Sequence, residues 1–348
     1  MSGNFVQRGH PAIIDKMARA KAAAACGADL VLELPVQYAL SSAEGFAAGG
    51  VSILSKLCDN LCFGAEDADL DNLMAIANAL CSDAFRENLR VQLDEGLSFP
   101  VARAKAISKM DLDATLLETP NNILAIEYCK AILAQNSALT PLPIQRLGSY
   151  HDELPDVENP SASAVRILMK NGEQWKAFVP QEAEAFLENT SLHSLEHNEK
   201  AILYRLRTMT DAEFKALPYG SEGLWRKLMH ASRENNTLED IIAATKSKRY
   251  TRTRIDRMIL CAFLGLTAET LESPAPYCRV LAFNDKGREI LGRVRDSGYF
   301  INIGTDTKNP YQQIERQCTA LYGLFADQPE APDAESKYRV HYQREQEK

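Results

Sequence analysis

The sequence has no uninterrupted apolar run long enough to span a bilayer, so a membrane-spanning helix is not expected. Its polar start carries no apolar segment ahead of a cleavage site, and no secretory leader is expected either. The eight cysteines (Cys26, Cys58, Cys62, Cys81, Cys129, Cys261, Cys278 and Cys318) lack the dense spacing of a disulfide scaffold. Most fall in apolar or helical patterns, which points to reduced thiols and a cytoplasmic protein. Positive charge is not in excess: the net charge of −8 argues against a general nucleic-acid binder, while leaving room for one local basic patch. There is no internal repeat and no long low-complexity linker. No Gly-x-Ser-x-Gly elbow, Walker loop or His-Glu-x-x-His motif occurs. Cys58 and Cys62 have a near-metal spacing but no second Cys/His pair close in sequence. His193 and His197 lie among Glu196, Asn198 and Glu199, which reads as a solvated surface. No protein-held metal is expected.

What is present is ordinary for a soluble globular protein: 348 residues, 45% hydrophobic and 25% charged, enough for two or three domains. The opening "MSGNFVQRGHPAIIDK" reads as a Gly-flanked polar loop running into a helix over 11–26, with Pro11 at its first position and Gly27 after its end. "DLVLELP" at 29–35 reads as a buried parallel strand stopped by Pro35, and "NLCFGAE" at 60–66 as a second strand leaving through Gly64. A helix over 41–57 lies between them. That alternation is the pattern of a doubly wound α/β layer. Helices are expected over 69–81, 84–95, 100–108 and 122–134, then an extended run at 141–148 and a loop-to-helix segment at 159–173. From about 174 to 265 helical patterns follow one another, broken at Pro218-Tyr219-Gly220. A small α+β tail follows, with strands at 278–283 and 299–304 and helices at 286–294 and 309–325. The expected organisation is an α/β domain over 1–172, a mainly helical domain over 173–327 and a flexible tail over 328–348.

Four loops at predicted strand ends gather polar residues: Ser2-Gly3-Asn4 through Gln7-Arg8-Gly9, Gly64-Ala65-Glu66, Arg146-Leu147-Gly148 through His151-Asp152, and Ser161 through Arg166. Ligands of open parallel sheets bind beyond the carboxyl ends of strands. Glycine there admits a close backbone approach, and serines at a helix start with an arginine one turn on suit phosphate oxygens. Each loop also has a plainer reading, in which Gly64 ends a strand, Ser161 caps a helix and Arg166 is solvated. Asn121 and Asn122 in "PNNILAIEY" either start a helix or read a base edge or ribose. "TKSKRYTRTRIDRMIL" at 245–260 is strongly basic, with Lys246, Lys248, Arg249, Arg252, Arg254 and Arg257 against one acid, Asp256. Cations at a helix start oppose its dipole, and an anion there would relieve them. A nucleic-acid backbone and an ordinary solvated face both fit.

The blocks "MSGNFVQRGHPAIIDKMARAKAAAACGADLVLELP", "CFGAE", "PNNILAIEY", "SYHDEL" and "KSKRYTRTRIDRMIL", in this order, resemble the bacterial tRNA(Met) cytidine acetate ligases. These are distant relatives of the HIGH-motif nucleotidylyltransferases. The resemblance implies an α/β, Rossmann-like nucleotidylyltransferase domain ahead of a mainly helical tRNA-binding part. It implies acetyl-adenylate formation from acetate and ATP, with Mg²⁺ accompanying ATP, and acetyl transfer to the exocyclic amine of the wobble cytidine in elongator tRNA(Met). Neither membrane nor DNA is an implied partner. By the matching motifs, ATP contacts fall to Gly64, Asn121, Arg146 and Leu147. Ser161, Ser163 and Arg166 resemble a phosphate motif of the wider superfamily. The tRNA contacts are expected on the basic cluster, Lys246, Lys248, Arg249, Arg252 and Arg254, where a phosphate backbone would neutralise the charge.

One departure is plain. The family's first strand and its "EYNPFHNGH"-like segment, with the paired histidines that stabilise adenylyl transfer, have no counterpart here. Met1 matches an internal methionine of the family. The expectation is a chain short of one strand–helix–strand unit, roughly 30 residues or more, with an incomplete sheet, impaired activity and no assignable catalytic histidine. A non-catalytic RNA-binding remnant and a nucleotidylyltransferase acting on a small metabolite are the rival readings.

Overall fold

The computed structural model describes residues 1–146, 161–188, 190–301 and 309–344. Leu147, Gly148, His151 and Asp152 therefore lie outside the described residues. The fold is mixed α/β, mostly helical. Its described strands are β1 (Phe5–Val6), β2 (His10–Pro11), β3 (Leu30–Glu33), β4 (Asn60–Ala65), β5 (Thr140–Gln145), β6 (Cys278–Phe283), β7 (Phe300–Ile301) and β8 (His341–Tyr342). The chain packs as two compact units. One takes residues 41–146 with Ser247–Arg249; the other takes 1–40 and the remaining described residues from 161 onward.

In the smaller unit β4 and β5 pair in parallel, Asn60 opposite Thr140 through Ala65 opposite Gln145. β4 alternates strictly: Leu61, Phe63 and Ala65 are buried, while Asn60, Cys62 and Gly64 face out. Cys62 is thus an exposed thiol on an amphipathic strand. Pro141 and Pro143 cannot donate to a ladder, which suits β5 to a sheet edge. The helices Ala43–Leu54, Leu70–Cys81 and Pro120–Ala134 cover the buried face. Val51, Leu73, Ile76, Ile126 and Ile132 close the core with Leu61 and Phe63.

In the larger unit the opening stretch is a tight hairpin. β1 and β2 pair antiparallel, and the Gly9 N–H returns to the Val6 carbonyl at 2.9 Å. Gly9 has φ +81°, and a Cβ there would come within 2.4 Å of the Arg257 backbone nitrogen, so only glycine fits. The first helix runs over Lys16–Ala25 and does not start at Pro11. Asp15 caps it, its carboxylate accepting the Met17 and Ala18 N–H groups at 2.8 and 3.1 Å. Pro11 instead belongs to β2.

β3 is also placed differently from its reading as a parallel neighbour of β4. It pairs antiparallel with β6, Leu30 opposite Phe283 and Glu33 opposite Arg279. β7 and β8 add to β6 in parallel. β6 is buried from Cys278 through Ala282, and its one charge, Arg279, is paired. In the described part of the segment after 328, Glu335 is anchored by charge. Glu335 is buried and takes Lys16 Nζ at 2.9 Å, with Arg279 on its other oxygen; Lys16 also meets Glu33 at 2.7 Å. A helical core of Leu206, Phe214, Leu228, Ile241, Ile255 and Met258 fills the rest of the unit. Phe5 reaches into that core, edge-on to Tyr322 and Phe325.

Candidate functional site

At the exit of β4 and β5 the chain builds a small polar network. Glu66 follows β4 and turns its carboxylate onto the start of the Pro120–Ala134 helix. Oε2 accepts the Asn122 N–H at 2.7 Å; Oε1 accepts the Asn121 N–H at 3.2 Å and its side-chain amide at 2.7 Å. The free N–H groups of a helix start carry positive partial charge, which a carboxylate complements. Burial alone would raise the Glu66 pKa, but these hydrogen bonds hold it below its ordinary value. Asn122 is buried and accepts the Asp67 N–H at 2.9 Å, so it fixes the loop that leaves the strand. Gln145 joins in, its carbonyl oxygen accepting Ala68 N–H at 3.1 Å and its amide donating to the Glu66 carbonyl.

Three of the sequence-selected residues meet here. The Arg146 N–H donates to the Ala65 carbonyl at 2.8 Å, extending the ladder. Its side chain crosses Gly64, where a Cβ would sit 3.2 Å from Arg146 Cγ. Gly64 and Arg146 are exposed and Asn121 is half-buried, so the group faces solvent at the carboxyl ends of a parallel pair. Glu66 organises the group, although the sequence offered only its place beside Gly64. The signal was the pairing of "GAE" with "PNN", a carboxylate and an uncapped helix start, which only the fold brings together.

Ser161, Ser163 and Arg166 lie in the other unit. Ser161 caps the Ala162–Asn171 helix, its hydroxyl accepting the Ala164 N–H at 3.1 Å. Ser163 is half-buried and Arg166 exposed in the first turns. Burial, then the charge of Arg8, lowers the Arg166 pKa, so these two cations share one locality.

The basic run divides. Arg252 forms a two-pronged pair with Glu239, both contacts at 2.6 Å. Arg254 donates to the Tyr219 carbonyl at 3.0 and 2.8 Å and to the Ser221 hydroxyl at 2.8 Å, tying down the turn where Tyr219 has φ +66°. Lys246, Lys248 and Arg249 form the loop before the helix, with Lys248 and Arg249 exposed. Tyr250 is buried in the helical core of the larger unit, its hydroxyl donating to the Glu222 carbonyl at 2.6 Å. Sequence reading counted Asp256 alone against the run; Glu239, on the preceding helix, escaped it.

Among the described residues, no group of three or more His, Cys, Asp or Glu side chains is arranged to hold a metal ion. Among the same residues no helix is long and apolar enough to cross a membrane.

Residues 1–337 match the family described as HIGH Nucleotidyl Transferase. A Clostridium perfringens protein named tRNA(Met) cytidine acetate ligase is 40% identical over 324 residues, covering 87% of this chain and 80% of its own length. A Clostridium novyi protein of the same name is 39% identical over 348 residues, covering 93% and 86%. Among solved structures, Thermotoga maritima TmcAL (apo, form I) matches with a TM-score of 0.88 at 29% identity, over 99% of this chain and 92% of that one. A second crystal form, bound with alpha-thio ATP, matches with a TM-score of 0.87 at 28% identity, over 99% and 91%.

Proposed function

The chain belongs to the tRNA(Met) cytidine acetate ligase family of HIGH nucleotidyl transferases, and from that premise we propose that it joins acetate to the wobble cytidine of elongator tRNA(Met) at the expense of ATP. The observation that carries the reading is the cluster at the β4 and β5 exit. Gly64 lies against Arg146 there and Asn121 is held by Glu66, and we assign ATP contacts to these three positions.

The reaction has two steps. An acetate oxygen attacks the α-phosphorus of ATP; the bond to the bridging oxygen breaks and pyrophosphate leaves with the electron pair. The cytidine exocyclic amine then attacks the acetyl carbonyl carbon. AMP leaves with the acyl C–O electron pair, and the amine loses one proton. In this scheme the Glu66 network pre-sets Asn121 so that its side-chain oxygen faces the ligand, while its amide stays on the carboxylate. Arg146 offers a planar cation over the bare Gly64 backbone. Leu147 belongs to the same assignment. Ser161, Ser163 and Arg166 are proposed as phosphate contacts. Mg²⁺ enters with the phosphates of ATP.

The tRNA contacts are proposed on Lys246, Lys248, Arg249, Arg252 and Arg254, of which Arg252 already pairs with Glu239 and Arg254 with the Tyr219 carbonyl. On function, residues 1–172 then carry the nucleotide chemistry and 173–327 carry tRNA binding, in the cytoplasm.

Pyrophosphate exchange into ATP tests the reading. It should require acetate and proceed without tRNA. Exchange that ignores acetate would favour a nucleotidylyltransferase acting on another small molecule. tRNA binding without any exchange would favour an RNA-binding protein.

A further inference from the structure

The larger unit holds a cavity of about 250 Å³ beside Gly9, far more than the ~30 Å³ a water occupies. Ile202, Leu238, Ile242 and Ile259 give it apolar walls, and four carboxylates reach it. Three of these have short partners. Glu199 accepts the Leu238 N–H at 2.7 Å, Glu239 holds Arg252 at 2.6 Å, and Glu196 takes the Ser194 hydroxyl and, at 3.4 Å, Lys170.

Asp256 differs. It is 5% exposed, yet among the described residues its partners are Arg252 Nε at 3.6 Å and His10 Nε2 at 3.8 Å, both too long for hydrogen bonds. Burial pushes its carboxyl up to about 6, the nearby arginines opposing, so it is mostly ionised at neutral pH. A buried carboxylate facing a cavity without a close donor is costly unless a ligand supplies one.

We propose that this cavity receives a cytosine base, with the Asp256 carboxylate accepting from its exocyclic amine. The inference rests on the reading that a tRNA cytidine is the acetyl acceptor. The apolar walls suit the faces of a flat ring. A carboxylate accepts from the cytosine amine, whereas uracil presents a carbonyl at that position and is repelled. Cations also stand near the carboxylate: His10 Nε2 is 3.8 Å from Asp256, and the His10 pKa is lowered first by burial and then by Arg252, Arg8 and Lys170.

Saturation-transfer NMR on the full chain, with cytidine 5′-monophosphate (CMP) and uridine 5′-monophosphate (UMP), is the test. CMP should bind and UMP should not. Asp256→Leu, similar in size and lacking an acceptor, should weaken CMP about tenfold. Leu238→Phe should abolish binding by filling the cavity. Thermal melts show whether each variant is folded, and the wild-type selectivity decides the matter if neither is. Equal CMP and UMP binding, spermidine binding in place of CMP, or unchanged CMP affinity in folded Asp256→Leu would overturn the proposal. Acetate-dependent exchange reports on the parent reading separately. Exchange without CMP selectivity removes the pocket alone, and CMP selectivity without exchange removes the parent reading alone.

Discussion

The Asn121 side-chain amide donates to Glu66 Oε1 at 2.7 Å, joining the start of one helix to the exit of a strand 55 residues earlier. The bond makes Asn121 a preset group. Its amide nitrogen is held by the protein, which fixes where its oxygen points. Orientation settled before binding lowers the entropy lost on binding.

Glu66→Gln should therefore act on both stability and affinity. The new amide replaces one acceptor with a donor, facing either the Asn122 N–H or the Asn121 amide. About 1 kcal/mol of stability should go, read as a shift in the urea midpoint. ATP affinity should fall in the same variant. Weakened stability with unchanged ATP affinity would reduce Glu66 to a helix cap.

Glu315 carries a pH prediction. Its carboxyl is buried beside Glu33 and Glu335, with Lys16 opposing; burial and the two acids push it up to about 8. Its oxygen accepts the Val36 N–H at 3.1 Å, which a neutral group also does. The unfolded value is about 4.3. Between the two values the folded chain binds the extra proton, so this group's contribution to stability declines as pH rises from about 4.5 to about 8. Glu315→Gln removes the decline. Its melting temperature should gain on the wild type between pH 6 and pH 9; parallel curves would contradict the assignment.

Two kinds of arginine should separate in tRNA binding. Lys248→Ala with Arg249→Ala should lower affinity and reduce the salt slope by roughly 2, about 0.9 per lost phosphate contact. Arg252→Ala should change that slope less, because Arg252 already pairs with Glu239. Filter binding across salt concentrations reads both. Equal slopes for all three proteins would mean that the loop does not meet phosphate.

The sequence showed individual elements more readily than their partners. The runs at 29–35, 60–66 and 278–283 were legible as strands from short, largely apolar or alternating stretches. Which strands pair was not local information. β3 meets β6 about 250 residues later, and no window over either run contains the other. The first helix was placed at Pro11 by a positional preference, and Asp15 displaced it with two side-chain bonds. The segment after 328 is Pro-, Asp- and Glu-rich, which reads as loose until Glu335 finds Lys16 and Arg279. At the candidate site, motif matching selected Gly64, Asn121 and Arg146. Their organiser Glu66, and Glu239 against the basic loop, needed three dimensions because their partners are remote in sequence.

The central claim is acetyl transfer to a tRNA cytidine. Incubating the purified chain with ¹⁴C-labelled acetate, ATP and elongator tRNA(Met), then digesting the RNA to nucleosides, tests it most directly. Label is expected in a single acetylated cytidine, dependent on ATP and lost when the wobble cytidine is replaced by uridine. Label that persists in the uridine-substituted tRNA, or absence of label from a chain that exchanges pyrophosphate with acetate, would contradict it.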